Sequence, residues 1–111
     1  MAKNDYYVLV YRILTYLYNC LKDDVEVDMT KLTPEWLGIN KRYFEYIFDT
    51  LSDEGYILNK AYDIDMAGKH LKSDIMISPT GISFLHENST IQKVKNSIKD
   101  ISDIIGNIKP L

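Results

Sequence analysis

Hydrophobic residues recur at helical spacing from the start of the chain. Tyr6, Val10, Ile13, Leu14, Leu17 and Leu21 share one face and predict a helix over about 5–22 with that face toward a core. Arg12, Thr15, Asn19 and Lys22 form a narrow polar stripe, with Tyr7, Tyr11 and Tyr18 between the two faces. In "KDDVEVDMTK" acids alternate with valines, which allows a short strand near Val25 to Val27. "LTPEWLGIN" predicts a very short helix, capped by Thr33, opened by Pro34 and stopped by Gly38, with Trp36 and Leu37 packed inward. Asn40 then caps a longer helix whose buried face is Phe44, Ile47, Phe48 and Leu51. Ile39 and Phe44 have the spacing of a hydrophobic staple, and Gly55 stops the helix with Tyr56 closing back on Leu51.

Period-two alternation follows. Two antiparallel strands are expected within 56–62 and 71–78, joined by "DIDMAGKH", whose length suits a wing-like loop better than a tight hairpin. Ser78 and Pro79 open a further helix that Asn88 ends in a left-handed conformation. Ser89 with Gln92 has capping-box spacing for a last helix, with isoleucine or valine at 91, 94, 98, 101, 105 and 108, the alternating steps of a seam, and Gly106 fraying or ending it. This order predicts a mostly helical α+β fold, a winged helix-turn-helix with additional N- and C-terminal helices, in one domain over 1–111. The helix-turn-helix falls at about 33–55, the wing strands at about 56–78 and the C-terminal helices at about 79–106. The last helix is expected to lie across the first.

The stretch "ISPTGISFLHENSTIQKVKNSIKDISDII" resembles the signature of the YjcQ family, with Gly81, Phe84, Leu85 and Asn88 in the places of its "xxGxxYLxxN" pattern. Phe84 stands where a tyrosine is common. "LSDEGYI" from Leu51 to Ile57 is similar to the family's helix end, and the acidic connector is longer than the family's. The resemblance runs from Tyr6 onward. It implies a small winged-helix protein of the kind found in Gram-positive bacteria and their phages, and it carries no established activity.

Composition narrows the function classes. The formal net charge is -3 and the pI about 5.3, which disfavours a protein that coats polyanions through bulk charge. Cys20 is the lone cysteine and sits in an apolar stretch, a core position suited to a reducing compartment. The N-terminus has no signal-peptide pattern, and the apolar run from Tyr6 to Leu21 is too short and too polar for a membrane span, so a cytoplasmic location is expected. The acidic connector lacks the glycine and terminal glutamate of a calcium loop. His70 and His86 stand in different elements without ligand spacing, Asp63 and Asp65 do not define an acid–base pair, and no glycine-rich phosphate loop is present. A non-enzymatic protein is expected, with no cofactor, no metal and no small-molecule ligand.

Two binding readings remain. Double-stranded DNA would meet the start of the recognition helix at Asn40, Lys41, Arg42 and Tyr43, with phosphate contacts from Lys60, Lys69 and Lys72 on the wing. Against this, the outward stripe Arg42, Glu45, Tyr46, Asp49 and Asp53 is mostly acidic, with Arg42 and Glu45 spaced for an internal ion pair. The leading reading is an accessory protein of phage or prophage type that binds DNA as a regulator. The alternative is a protein–protein interaction module that keeps the winged shape without DNA contact. A continuous positive ridge from Lys41 and Arg42 to the wing would favour DNA. A homodimer through Tyr7, Tyr11 and Tyr18 is also expected, the competing account being that these tyrosines edge an intramolecular core.

Overall fold

The first helix, α1 (Tyr6–Lys22), is the axis of the molecule, and every residue from Val8 to Leu17 is buried. In the computed structural model, which describes residues 2–97, α3, α4 and α5 all pack on α1. Five helices and one two-stranded antiparallel sheet make a mostly helical α+β fold among the described residues. Besides α1 these are α2 (Pro34–Leu37), α3 (Lys41–Asp53), α4 (Pro79–Glu87) and α5 (Ser89–Ser97), with β1 (Tyr62–Asp65) and β2 (Gly68–Leu71) between α3 and α4. The seam positions from 98 onward, and the expected helix end at Gly106, lie outside the described residues.

Because helices surround α1, most of its polar stripe is not outward, and of its four residues only Lys22 is exposed. Arg12, Thr15 and Asn19 are buried, while Leu21, placed on the core face by its spacing, is 45% exposed in the last turn. Tyr11 is 1% exposed and belongs to the core. The connector after α1 contains no strand. Val25 is exposed, and the chain turns instead through a single 3-10 turn, Met29–Lys31, started by Asp28, whose carboxylate accepts from the Thr30 amide and hydroxyl. The Asp28 amide donates to the Tyr16 hydroxyl at 2.8 Å and ties this loop to α1.

Local sequence signals set α2 and α3 as expected. Thr33 and Asn40 accept from the amides of Trp36 and Tyr43, and Gly38 closes α2 at φ 71°. Leu37 takes the inward position, so Trp36, one residue earlier on a four-residue helix, is turned away and is 44% exposed rather than packed inward. At the other end of α3, the Tyr56 amide bonds the Leu51 carbonyl and the Gly55 amide the Ser52 carbonyl, with Gly55 at φ 75°; this is a complete Schellman turn.

The strands pair antiparallel in the expected region, but their regular ladder lies nearer the tip. Near the base, the Ile57–Ile77 bridge is joined by bonds from Leu58 to Met76 and from Ser78 to Tyr56. The ladder itself pairs Tyr62 with Leu71 through Asp65 with Gly68, so "DIDMAGKH" is a tight hairpin turning at Met66 and Ala67 rather than a long loop. Two features interrupt a longer ladder. The Ala61 amide donates to the Ser52 hydroxyl on α3, and the chain turns at Ser73 and Asp74. After the hairpin, Ser78 caps α4 as expected. Asn88 ends α4 in an extended conformation, not a left-handed one, and its side chain caps α5 by accepting from the Ile91 amide. Gln92 therefore does not close a box with Ser89; its amide group donates to the Leu85 carbonyl.

So much tyrosine inside the fold has a pH consequence. Burial raises the phenol pKa of Tyr6, Tyr11, Tyr43, Tyr56 and Tyr62, and pushes Tyr16 up to about 12. A raised phenol pKa means that the folded chain holds protons the unfolded chain has lost. The associated stability is intact below about pH 10 and drains away above it, Tyr16 alone accounting for about 2 kcal/mol. Tyrosinate absorbance and loss of helical circular dichroism should therefore rise together between about pH 10 and 12. Ionisation of the whole tyrosine set near pH 10 with the helices intact would contradict it.

Candidate nucleic-acid interface

The residues expected to meet DNA come from the start of α3 and from the hairpin, and the fold brings these two elements side by side. Their chemistry is largely committed within the chain. The Asn40 side chain accepts from the Tyr43 amide at 2.8 Å, so its oxygen is used in capping. Half-buried Tyr43 donates its hydroxyl to the Asn4 carbonyl at 2.8 Å and ties down the N-terminal segment. The Lys69 ammonium lies 3.2 Å from the Asp49 carboxylate on α3 and 4.6 Å from the centre of the Tyr62 ring. Lys72 pairs with Asp63 across the hairpin at 3.6 Å, and His70 lies 3.6 Å from Asp65. Lys41, Arg42 and Lys60 are exposed and have no carboxylate partner among the described residues. Arg42 and Glu45 do not pair.

A groove of about 480 Å³ separates the α2–α3 turn from the hairpin, with Ile39, Phe44, Tyr62 and Leu71 as its apolar wall. Lys41 and Lys69 border it together with Glu35 and Glu45, so both signs of charge surround it. The positive ridge from Lys41 and Arg42 to the hairpin is thus broken by Glu45 and Asp49. Carboxylates on that line repel phosphates and neutralise the lysine expected to reach them. Buried Cys20 has its thiol pKa raised by burial, which suppresses the thiolate. Among the described residues, no group of three or more His, Cys, Asp and Glu could hold a metal ion.

The expected tyrosine edge is not a single surface. Tyr7 is 44% exposed, Tyr11 is in the core, and half-buried Tyr18 carries Lys22 over its ring at 4.3 Å with His86 at its edge. The aromatic surface lies elsewhere. Tyr6 meets Tyr7 edge-on at 5.1 Å and Tyr46 at 6.0 Å, joining the start of α1 to the outward face of α3, where Tyr46 is 58% exposed. Its place in the outward stripe was the signal for this, but Tyr6 spaces as a core residue and gave no hint of the contact.

Fold and site together define a small, mostly helical α+β protein whose exposed chemistry is a charged aromatic helix face beside a β-hairpin. It belongs to the YjcQ family: the family model described as YjcQ protein matches residues 11–104. Neither a curated protein nor a solved structure matches the chain. The motif residues that resemble the family have structural work here. Gly81 lies against the Tyr56 backbone, Phe84 stacks on Tyr56 at 4.3 Å, Leu85 is buried and Asn88 caps α5. Among the described residues, no helix is long and apolar enough to cross a membrane.

Proposed function

We propose that this YjcQ-family protein is a non-enzymatic protein–protein interaction module on a winged helix-turn-helix frame. The frame is supported by the succession of α2, a short turn, α3 and an antiparallel hairpin. The observation that carries the functional reading is the Lys69–Asp49 ion pair. It takes up a hairpin lysine with a carboxylate on the helix face that would have to approach phosphate.

The second reading, a DNA-binding regulator of phage or prophage type, is favoured by Lys41 and Arg42, exposed at the start of α3 and without a carboxylate partner among the described residues. A gel-shift titration on DNA from the protein's own genomic region at low salt separates the two. The module reading expects no shift. A shift that Lys41→Ala, Arg42→Ala weakens, with the salt slope falling by about one for each lost phosphate contact, would replace it with the DNA reading.

A further inference from the structure

The exposed line along α3 is complementary to itself, with Glu45 half-buried to one side of it at the groove. Arg42, Tyr46, Asp49 and Asp53 are all exposed and follow one another at steps of four, three and four, the spacing of a straight seam along a helix. The base stands at the start of this stripe, the acids lie toward its end and the tyrosine is near the middle. Turned end for end about a point between Ile47 and Phe48, the stripe meets its own opposite: position 42 faces position 53, and position 46 faces position 49. We propose that α3 pairs antiparallel with α3 of a second copy of this chain across a two-fold axis at that point. The inference rests on the interaction-module reading and names its partner.

The chemistry suits a helix-to-helix distance of 8–10 Å, typical of packed helices. Each Arg42 guanidinium meets the Asp53 carboxylate of the other copy, so the symmetry makes two such pairs. Each Tyr46 hydroxyl donates to the opposite Asp49, whose carboxylate already accepts from Lys69 and has lone pairs to spare. The two Tyr46 rings themselves form the centre of the contact, since Ile47 and Phe48 at the axis are buried in each chain's own core. On each side Tyr6 supports Tyr46 from behind, and exposed Tyr7 extends the aromatic surface. The contact is small, which places it among weak, micromolar associations. It also covers the helix face that DNA would need.

Sedimentation of the full chain across the micromolar range tests this, with Arg42→Glu and Asp53→Arg as the decisive variants. Both residues are on the surface, so melting temperatures should match the wild type. Each variant alone sets like charges opposite one another twice, and its dimer should weaken by about tenfold or more. An equimolar mixture of the two should regain wild-type association, because the mixed dimer restores an opposite-charge pair at both ends; a merely structural role for either residue would not produce that rescue. The wild-type dimer should weaken at high salt. A wild type that stays monomeric, or variants that associate as the wild type does, would overturn the self-pairing. The gel shift reads the other question separately: a monomer that leaves DNA unshifted removes the second copy as partner but not the module, whereas a shifted probe removes the module itself.

Discussion

Gly81→Ala should destabilise the fold by about 3 kcal/mol, with the melting temperature falling by well over about 10 °C. The sign is the informative part. In an unobstructed helix the same change stabilises by up to about 1 kcal/mol, since alanine is the better helix former. Here a Cβ on Gly81 would run into the Tyr56 carbonyl oxygen and come within 2.8 Å of Ile77 Cγ1. Neither neighbour can easily withdraw. The Tyr56 carbonyl accepts from the Ser78 amide at 3.0 Å, and the Tyr56 amide closes the Schellman turn of α3. Ile77 is in the bridge to Ile57. Gly81 itself is held by the Ser78 cap, so α4 would have to leave both its cap and the base of the hairpin to make room. Thermal unfolding of the single variant checks this; a melting temperature equal to or above the wild type would show that α4 is free to slide.

The same region shows which parts of the fold could be read from sequence. The two ends of α3 were legible because their signals are local: Asn40 needs only the amide three residues on, and Gly55 only its own backbone conformation. The position of the ladder was not, because the Ala61 amide is claimed by Ser52, nine residues earlier on α3, and period-two alternation carries no trace of that bond. The burial of α1 was hidden in a similar way. Its hydrophobic face was plain, but enclosure of Arg12, Thr15 and Asn19 depends on how the other helices wrap it. In the candidate interface, Lys41 and Arg42 are exposed as their positions suggested. Lys69 and Lys72 looked equally free until the fold placed Asp49 and Asp63 beside them. A cation can be counted from sequence, but its partner across the chain cannot.

Arg12→Met is expected to move stability the other way, raising it by about 2 kcal/mol at neutral pH. Arg12 is 3% exposed on the helix that the others surround, and among the described residues its Nε and one terminal nitrogen have no hydrogen-bond partner. Desolvation by burial draws the guanidinium pKa down from 12.5 to about 10. A base whose pKa is lowered on folding opposes folding while it is charged. The penalty is present at neutral pH and is relieved as pH rises from about 10 toward the unfolded value, because over that range the unfolded chain holds more protons. Methionine keeps a flexible apolar stem in the same space and removes the charge. The effect should be visible twice. Denaturant unfolding at neutral pH should shift to a higher midpoint with an unchanged slope. Above about pH 10 the variant should lose stability more steeply than the wild type, because relief at Arg12 no longer offsets tyrosine ionisation. A variant less stable than the wild type at neutral pH would mean that the guanidinium supports the fold in a way its missing hydrogen bonds do not suggest.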